Sequence, residues 1–140
     1  VGKCRSNVLY KYVVDKESVG AFAGKVLVRE GAEKTESQET NANLCVSPNA
    51  RMYSQPMLEI YADDVQCNRG STVGQLDEAA MFYMEQRGVP EEEAKLLLEY
   101  AFVDEVLAQI PMSPLKDRIA RLVEKRFRGE ITACTNCNAC

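Results

Sequence analysis

The 140-residue chain contains no histidine. That absence removes the commonest general base, the Ser-His-Asp and Cys-His arrangements, and the commonest zinc ligand. A Gly-x4-Gly-Lys-Ser/Thr phosphate loop is also missing, so any use of nucleotide energy needs another chain to supply it. No apolar run reaches the roughly 18 residues of a membrane helix. No charged-then-apolar leader is present; the chain opens at Val1-Gly2-Lys3, which reads as a fragment or a processed product. Positive charge is in deficit, with a net charge of −4. Phosphate binding needs a concentrated positive field, so a nucleic-acid partner is not expected. An enzyme acting alone is the least expected class.

What is present is an ordinary globular composition, long enough for one core or two small ones without a staple. The six cysteines are Cys4, Cys45, Cys67, Cys134, Cys137 and Cys140, and three of them fall in the last seven residues. Nothing marks secretion. The lopsided spacing reads as reduced thiols with a metal-type tail in a cytoplasmic protein.

The first half is strand-like. Runs at 8–14, 23–28, 43–46 and 57–61 are rich in β-branched and aromatic residues, with no Asn-Gly or Asp-Gly turn between them. A weak repeat lays Val26-Leu27-Val28 and its following turn over Leu44-Cys45-Val46, an offset of 18 residues. Short strands with a repeated turn fit the rungs of a parallel β-helix, with Leu44 and Leu58 in one core and Val26 stacked on them; the bland alternative is an ordinary sandwich.

The second half is helical. One helix is predicted over 76–87, with Gly88 past its end. Another starts at Pro90, carries Glu91-Glu92-Glu93 in its first turn and stops before Pro111. A third follows the Ser113-Pro114 cap, with Leu115, Ile119, Leu122, Val123 and Phe127 at helical spacing, and Gly129 closes it. The second and third helices are expected to pack through Leu97, Ala101, Ile119, Leu122 and Phe127. The organisation is therefore residues 1–74 as rungs, 75–129 as a helical domain and 130–140 as a flexible Cys-rich tail.

Two places could carry sulfur or metal chemistry. Cys67, placed at a strand-to-helix junction, has Arg69 nearby, and a guanidinium favours the thiolate. A small half-buried cysteine at a strand end is the equally simple reading. Cys134-x2-Cys137-x2-Cys140 has the gaps that let thiolates face one ion or cluster, but a fourth ligand must come from elsewhere. The alternative is a redox-labile tail with no defined ligand. Asp63-Asp64 suits a turn, and the Lys/Arg set of the third helix, from Lys116 to Arg128, suits a solvated face.

The stretch Pro56-x-Leu58-Glu59-Ile60-Tyr61-Ala62-Asp63-Asp64-Val65-x-Cys67 and the following Gly70-x-Thr72-Val73-Gly74-Gln75-Leu76-Asp77-Glu78 resemble the SufB/SufD family of SUF iron–sulfur cluster assembly scaffolds. Gly24-Lys25-Val26, Gln38-x-x-Asn41-x-Asn43-Leu44, Phe82-Tyr83 and Arg87-Gly88-Val89 extend the likeness, which runs from about Ser6 to about Phe127. The SufD branch and its C-terminal part fit better than SufB. The resemblance implies a right-handed parallel β-helix ending in a small helical domain, so mainly β with α. It implies a non-enzymatic scaffold that pairs with a SufB-like subunit, docks a SufC-like ABC-type ATPase on residues 75–129, and hosts a transient iron–sulfur cluster at the subunit interface. No tightly bound cofactor is expected on the isolated fragment, and a homodimer is a further possibility. Cys67 and Arg69 would lie at that interface. Arg69 stands where the family usually has histidine, and a cationic guanidinium cannot ligate a metal. The tail cysteines lie outside the family pattern. If they bind metal on their own, the competing reading is an electron-transfer or metal-binding module.

Overall fold

A computed structural model describes residues 2–130. The chain divides into two compact units, Val1–Leu76 and Asp77–Cys140. The cysteines at 134, 137 and 140 lie outside the described residues.

The first unit holds five strands: β1 (Arg5–Val14), β2 (Val19–Val28), β3 (Thr35–Cys45), β4 (Arg51–Ile60) and β5 (Val65–Gln75). Odd strands form one sheet in the order β1-β3-β5, and β2 pairs with β4 in a second. Among the described residues every pairing is parallel and none is a hairpin. Arg5 pairs with Glu36, Val19 with Arg51 and Thr35 with Val65, giving offsets of 31, 32 and 30 residues. The 18-residue repeat is therefore not the structural period. It aligned a strand of one sheet with a strand of the other. Val26 does pair with Leu58, on β2 and β4. Leu44 is buried as well, at 7% exposure. Side chains alternate along a strand, and the adjacent Cys45 takes the inner place, with Val14, Phe22, Ala50 and Met52.

The corners repeat as well. Lys3 and Lys34 both adopt left-handed backbone, with φ of 65° and 59°. Each donates its N–H to the corner one turn on, Lys3 to Glu33 O and Lys34 to Asp64 O. Gly31, at φ 78°, opens the second of these bends without a Cβ penalty. Strand β5 was unforeseen. Asn68, Arg69, Gly70, Ser71 and Gly74 give it little strand propensity of its own. Its ladder with β3 holds it extended. Cys67 is consequently inside a strand, not at a strand-to-helix junction.

The second unit holds α1 (Glu78–Gln86), α2 (Glu91–Ala108) and α3 (Ser113–Phe127). Asp77 caps α1 by accepting from the N–H groups of Ala79 and Ala80 at 2.9 and 3.2 Å. Gly88 and Gly129 take positive φ just past α1 and α3. The expected Ser113 cap is not made: Met112 is the N-cap of α3, with no side-chain bond. The expected contact set also needs correcting. Leu97, Ala101 and Leu122 are exposed, while Ile119 and Phe127 are half-buried. On α2 the buried residues are Ala94, Glu99 and Leu107. Three consecutive leucines at 96–98 sweep most of a helical turn, so the pattern could not say which of them faces inward. Among the described residues, no helix is long and apolar enough to cross a membrane.

Candidate functional site

The inner face of the first unit is built by alternation. On β3 the residues with side chains between the sheets are Thr35, Ser37, Glu39, Asn41 and Asn43, and all five are buried. A buried row on a central strand is normally apolar; this one is polar throughout. Across the β3–β5 ladder, Ser37 faces Cys67, Glu39 faces Arg69 and Asn41 faces Ser71. Among the described residues β5 forms one edge of its sheet. Cys67 is thus a half-buried free thiol on an edge strand.

Arg69 lies two residues further along the same row and is exposed. Its Nη1 donates to the Pro56 carbonyl oxygen on β4, so the guanidinium links the two sheets. The bond fixes the position of a positive charge in the row that carries the Cys67 thiol.

Further along, the polar row closes into a network. Asn43 Nδ2 donates to Asn41 Oδ1 at 2.6 Å and to the Thr72 carbonyl at 2.9 Å. Ser54 Oγ on β4 donates to Asn41 Oδ1 at 2.8 Å. Ser71 Oγ is 2.6 Å from Ser54 Oγ and 3.1 Å from Asn41 Oδ1. A hydroxyl has one proton, so the shorter contact takes it, and the protons run Ser71 to Ser54 to Asn41. Side chains of β3, β4 and β5 are joined at one amide oxygen.

Of the remaining thiols, Cys45 is a core residue and Cys4 is exposed. A cleft of about 450 Å³ lies against Cys45, lined also by Met52, Tyr53, Val73 and Gln75. It sits at the C-terminal end of β5, away from Cys67 near the strand's start. Among the described residues no three His, Cys, Asp or Glu side chains converge as a metal set. Asp63 and Asp64 are exposed in the turn before β5.

The second unit presents a different surface. Phe82, Tyr83, Met112, Leu115 and Leu122 are large apolar side chains left exposed. A smaller cleft of about 200 Å³ is lined by Leu96, Leu97, Tyr100, Glu93, Glu124 and Arg128. Arg128 ties α3 to α2 through Glu93 at 3.1 Å and bonds Glu124 at 3.2 Å. The two carboxylates raise the guanidinium above its ordinary value.

A half-buried edge-strand cysteine beside an anchored arginine, on a parallel two-sheet scaffold, can be compared with known proteins. Residues 1–102 match the family model for the SufBD core domain of the SUF system for FeS cluster assembly. The chain belongs to the SufB/SufD family. An iron–sulfur cluster assembly SufBD family protein of Synechocystis sp. is 40% identical over 121 residues, covering 86% of this chain and 27% of that protein. The iron–sulfur cluster assembly protein SufD of Escherichia coli is 36% identical over 128 residues, 91% of this chain and 30% of its own length. SufD of Bacillus subtilis is 30% identical over 128 residues, 91% and 29%. The chain spans less than a third of the length of these relatives.

Membership of the SufB/SufD family leaves the inner polar row unassigned, and sequence reasoning passed over it. Its signal was visible as polar residues at every second place from Thr35 to Asn43, on a segment with no apolar alternation of its own. Asn41 and Asn43 were noticed only as letters of the SufB/SufD likeness.

Proposed function

We propose that the chain is part of a SufD-type scaffold subunit of the SUF iron–sulfur cluster assembly machinery, working in the cytoplasm without enzymatic activity of its own. On this reading the nascent cluster is cargo. It forms at an interface with a SufB-like subunit, near Cys67 and Arg69, and is not retained. The alternating parallel strands are the coils of a right-handed parallel β-helix, a reading supported by the offsets of 30–32 residues and the repeated corners at Lys3 and Lys34. The helical unit docks a SufC-like ATPase, for which its exposed apolar residues are the natural surface.

The observation that carries this reading is the placement of Cys67. It is half-buried, on an edge strand, with the Arg69 charge held in the same row. A thiol so placed is open to a partner's ligand, and one thiol is too few to hold a cluster alone. Arg69 supplies charge rather than a ligand: its guanidinium attracts anionic sulfur.

The test uses the full-length protein co-purified with its SufB-like and SufC-like partners. Cys67→Ser should slow cluster assembly while leaving complex formation and folding intact. Arg69→His, which introduces the usual family residue, should be tolerated. Deleting residues 134–140 should leave assembly in place. Unchanged assembly in Cys67→Ser would remove Cys67 from the site. Loss of assembly on the tail deletion, as complete as in Cys67→Ser, would show that tail and strand act as one site.

A further inference from the structure

Among the described residues, three buried polar atoms on β3 have no hydrogen-bond partner: Glu39 Oε1, Asn41 Nδ2 and Asn43 Oδ1. Their side chains share the inner face of the strand, at 6%, 0% and 2% exposure. Leaving such groups unpaired is costly, so a native fold finds them partners.

The amide orientations are not free to remove the problem. Asn43 Nδ2 faces the Thr72 carbonyl at 2.9 Å, and turning the amide over would set two oxygens against each other. With Asn43 fixed, its Nδ2 also requires an oxygen at Asn41, 2.6 Å away. The second nitrogen face of Asn41 therefore points elsewhere, as does Asn43 Oδ1. The row presents acceptor, donor, acceptor at Glu39, Asn41 and Asn43.

We propose that the space between the sheets along this row is a binding site for ordered water. One molecule accepts from Asn41 Nδ2 and donates to Glu39 Oε1; a second donates to Asn43 Oδ1. Other ligand classes fail on chemistry. A cation would satisfy the two acceptors and meet the Asn41 N–H head-on. An anion would satisfy that N–H and be repelled by Glu39. An apolar molecule would satisfy none of the three. Water donates and accepts, and buried water typically takes two to four such partners. The inference rests on these atoms alone and stands whether or not the assembly role is correct.

The experiment is water-to-amide cross-relaxation NMR on the uniformly labelled protein. The Asn41 side-chain NH₂ should show a cross-peak to a long-lived water, with the sign expected for a slowly tumbling bound molecule. Glu39→Leu removes the acceptor and should abolish the Asn41 cross-peak. Glu39→Gln retains an oxygen at that position and should keep it. Absence of the cross-peak in the unsubstituted protein overturns the proposal, and that spectrum decides the matter if Glu39→Leu does not fold. Persistence of the peak in folded Glu39→Leu also overturns it, because the water would then be held elsewhere.

Discussion

Gly24 on β2 and Glu39 on β3 meet across the space between the two sheets. A Cβ built at Gly24 would overlap Glu39 Oε1 and would lie 2.6 Å from the Phe22 ring. That ring cannot retreat easily, because Tyr10 and Tyr12 pack on it at centroid distances of 5.0 and 6.0 Å. Gly24→Ala should therefore destabilise the fold by about 1–3 kcal/mol, the usual range for overpacking. Urea unfolding measures it. Adding Glu39→Ala to Gly24→Ala should recover part of the loss, since one of the two clashes is then gone. Equal stability of Gly24→Ala and the unsubstituted protein would show that the sheets have slack here.

Asn41 is the hub of the inner network. Asn41→Leu keeps the branched shape but takes the acceptor away from the Ser54 hydroxyl and from one Asn43 N–H. The expected cost is about 3 kcal/mol, because a buried donor left unpaired costs ~1–3 kcal/mol and two are affected. Ser71→Ala should cost less than half as much, since Ser54 can still donate to Asn41. A comparison of the two unfolding midpoints tests the ranking, and a larger loss in Ser71→Ala would reverse the assigned hierarchy.

The thiols should separate by reactivity. Cys4 is exposed, Cys67 half-buried and Cys45 a member of the core. Pulsed alkylation read by peptide mass spectrometry should modify them in that order, with Cys45 protected until the protein unfolds. Labelling of Cys67 ahead of Cys4, or of Cys45 in the folded protein, would overturn that order.

At the start of α2, Glu91 accepts from Lys95 at 2.7 Å. The hydrogen bond and the nearby charge hold the Glu91 carboxyl below its ordinary value. A depressed carboxyl contributes stability above its unfolded pKa and loses it as pH falls through the folded one. The pair should thus support α2 at neutral pH and stop doing so in acid. NMR titration of the glutamate side chains should place the Glu91 midpoint below that of Glu91 in Lys95→Met. High salt should narrow the gap, because both side chains are open to solvent, at 40% and 63% exposure.

The helices were largely legible because their ends are punctuated. Gly88, Pro90, Pro111 and Gly129 are local signals, and local chemistry decides them. The strands were harder. Val8–Val14 and Ala23–Val28 announced themselves by composition, yet β5 did not, because pairing with β3 rather than propensity makes it a strand. The true spacing of 30–32 residues was hidden for the same reason that the inner row was missed. Polar residues at 37, 39, 41 and 43 occupy places where an apolar repeat would have marked the period. Cys67 and Arg69 were found through the motif that contains them, whereas Glu39 and Asn41 acquire a role only once three strands are brought side by side.

The long register has a kinetic consequence. No ladder in the first unit can close without about thirty intervening residues, so no strand pair can nucleate as a hairpin does. Closing a loop of that size costs about 3 kcal/mol in chain entropy beyond a constant, before any ladder bond repays it. Folding should accordingly be slow for a chain of this length, on the millisecond-to-second scale of topologies dominated by non-local pairs. The helical unit, whose contacts are nearer in sequence, should acquire its structure first. During that interval the parallel strands have unpaired backbone on both sides, and a waiting subunit or chaperone would meet them before the sheets are complete.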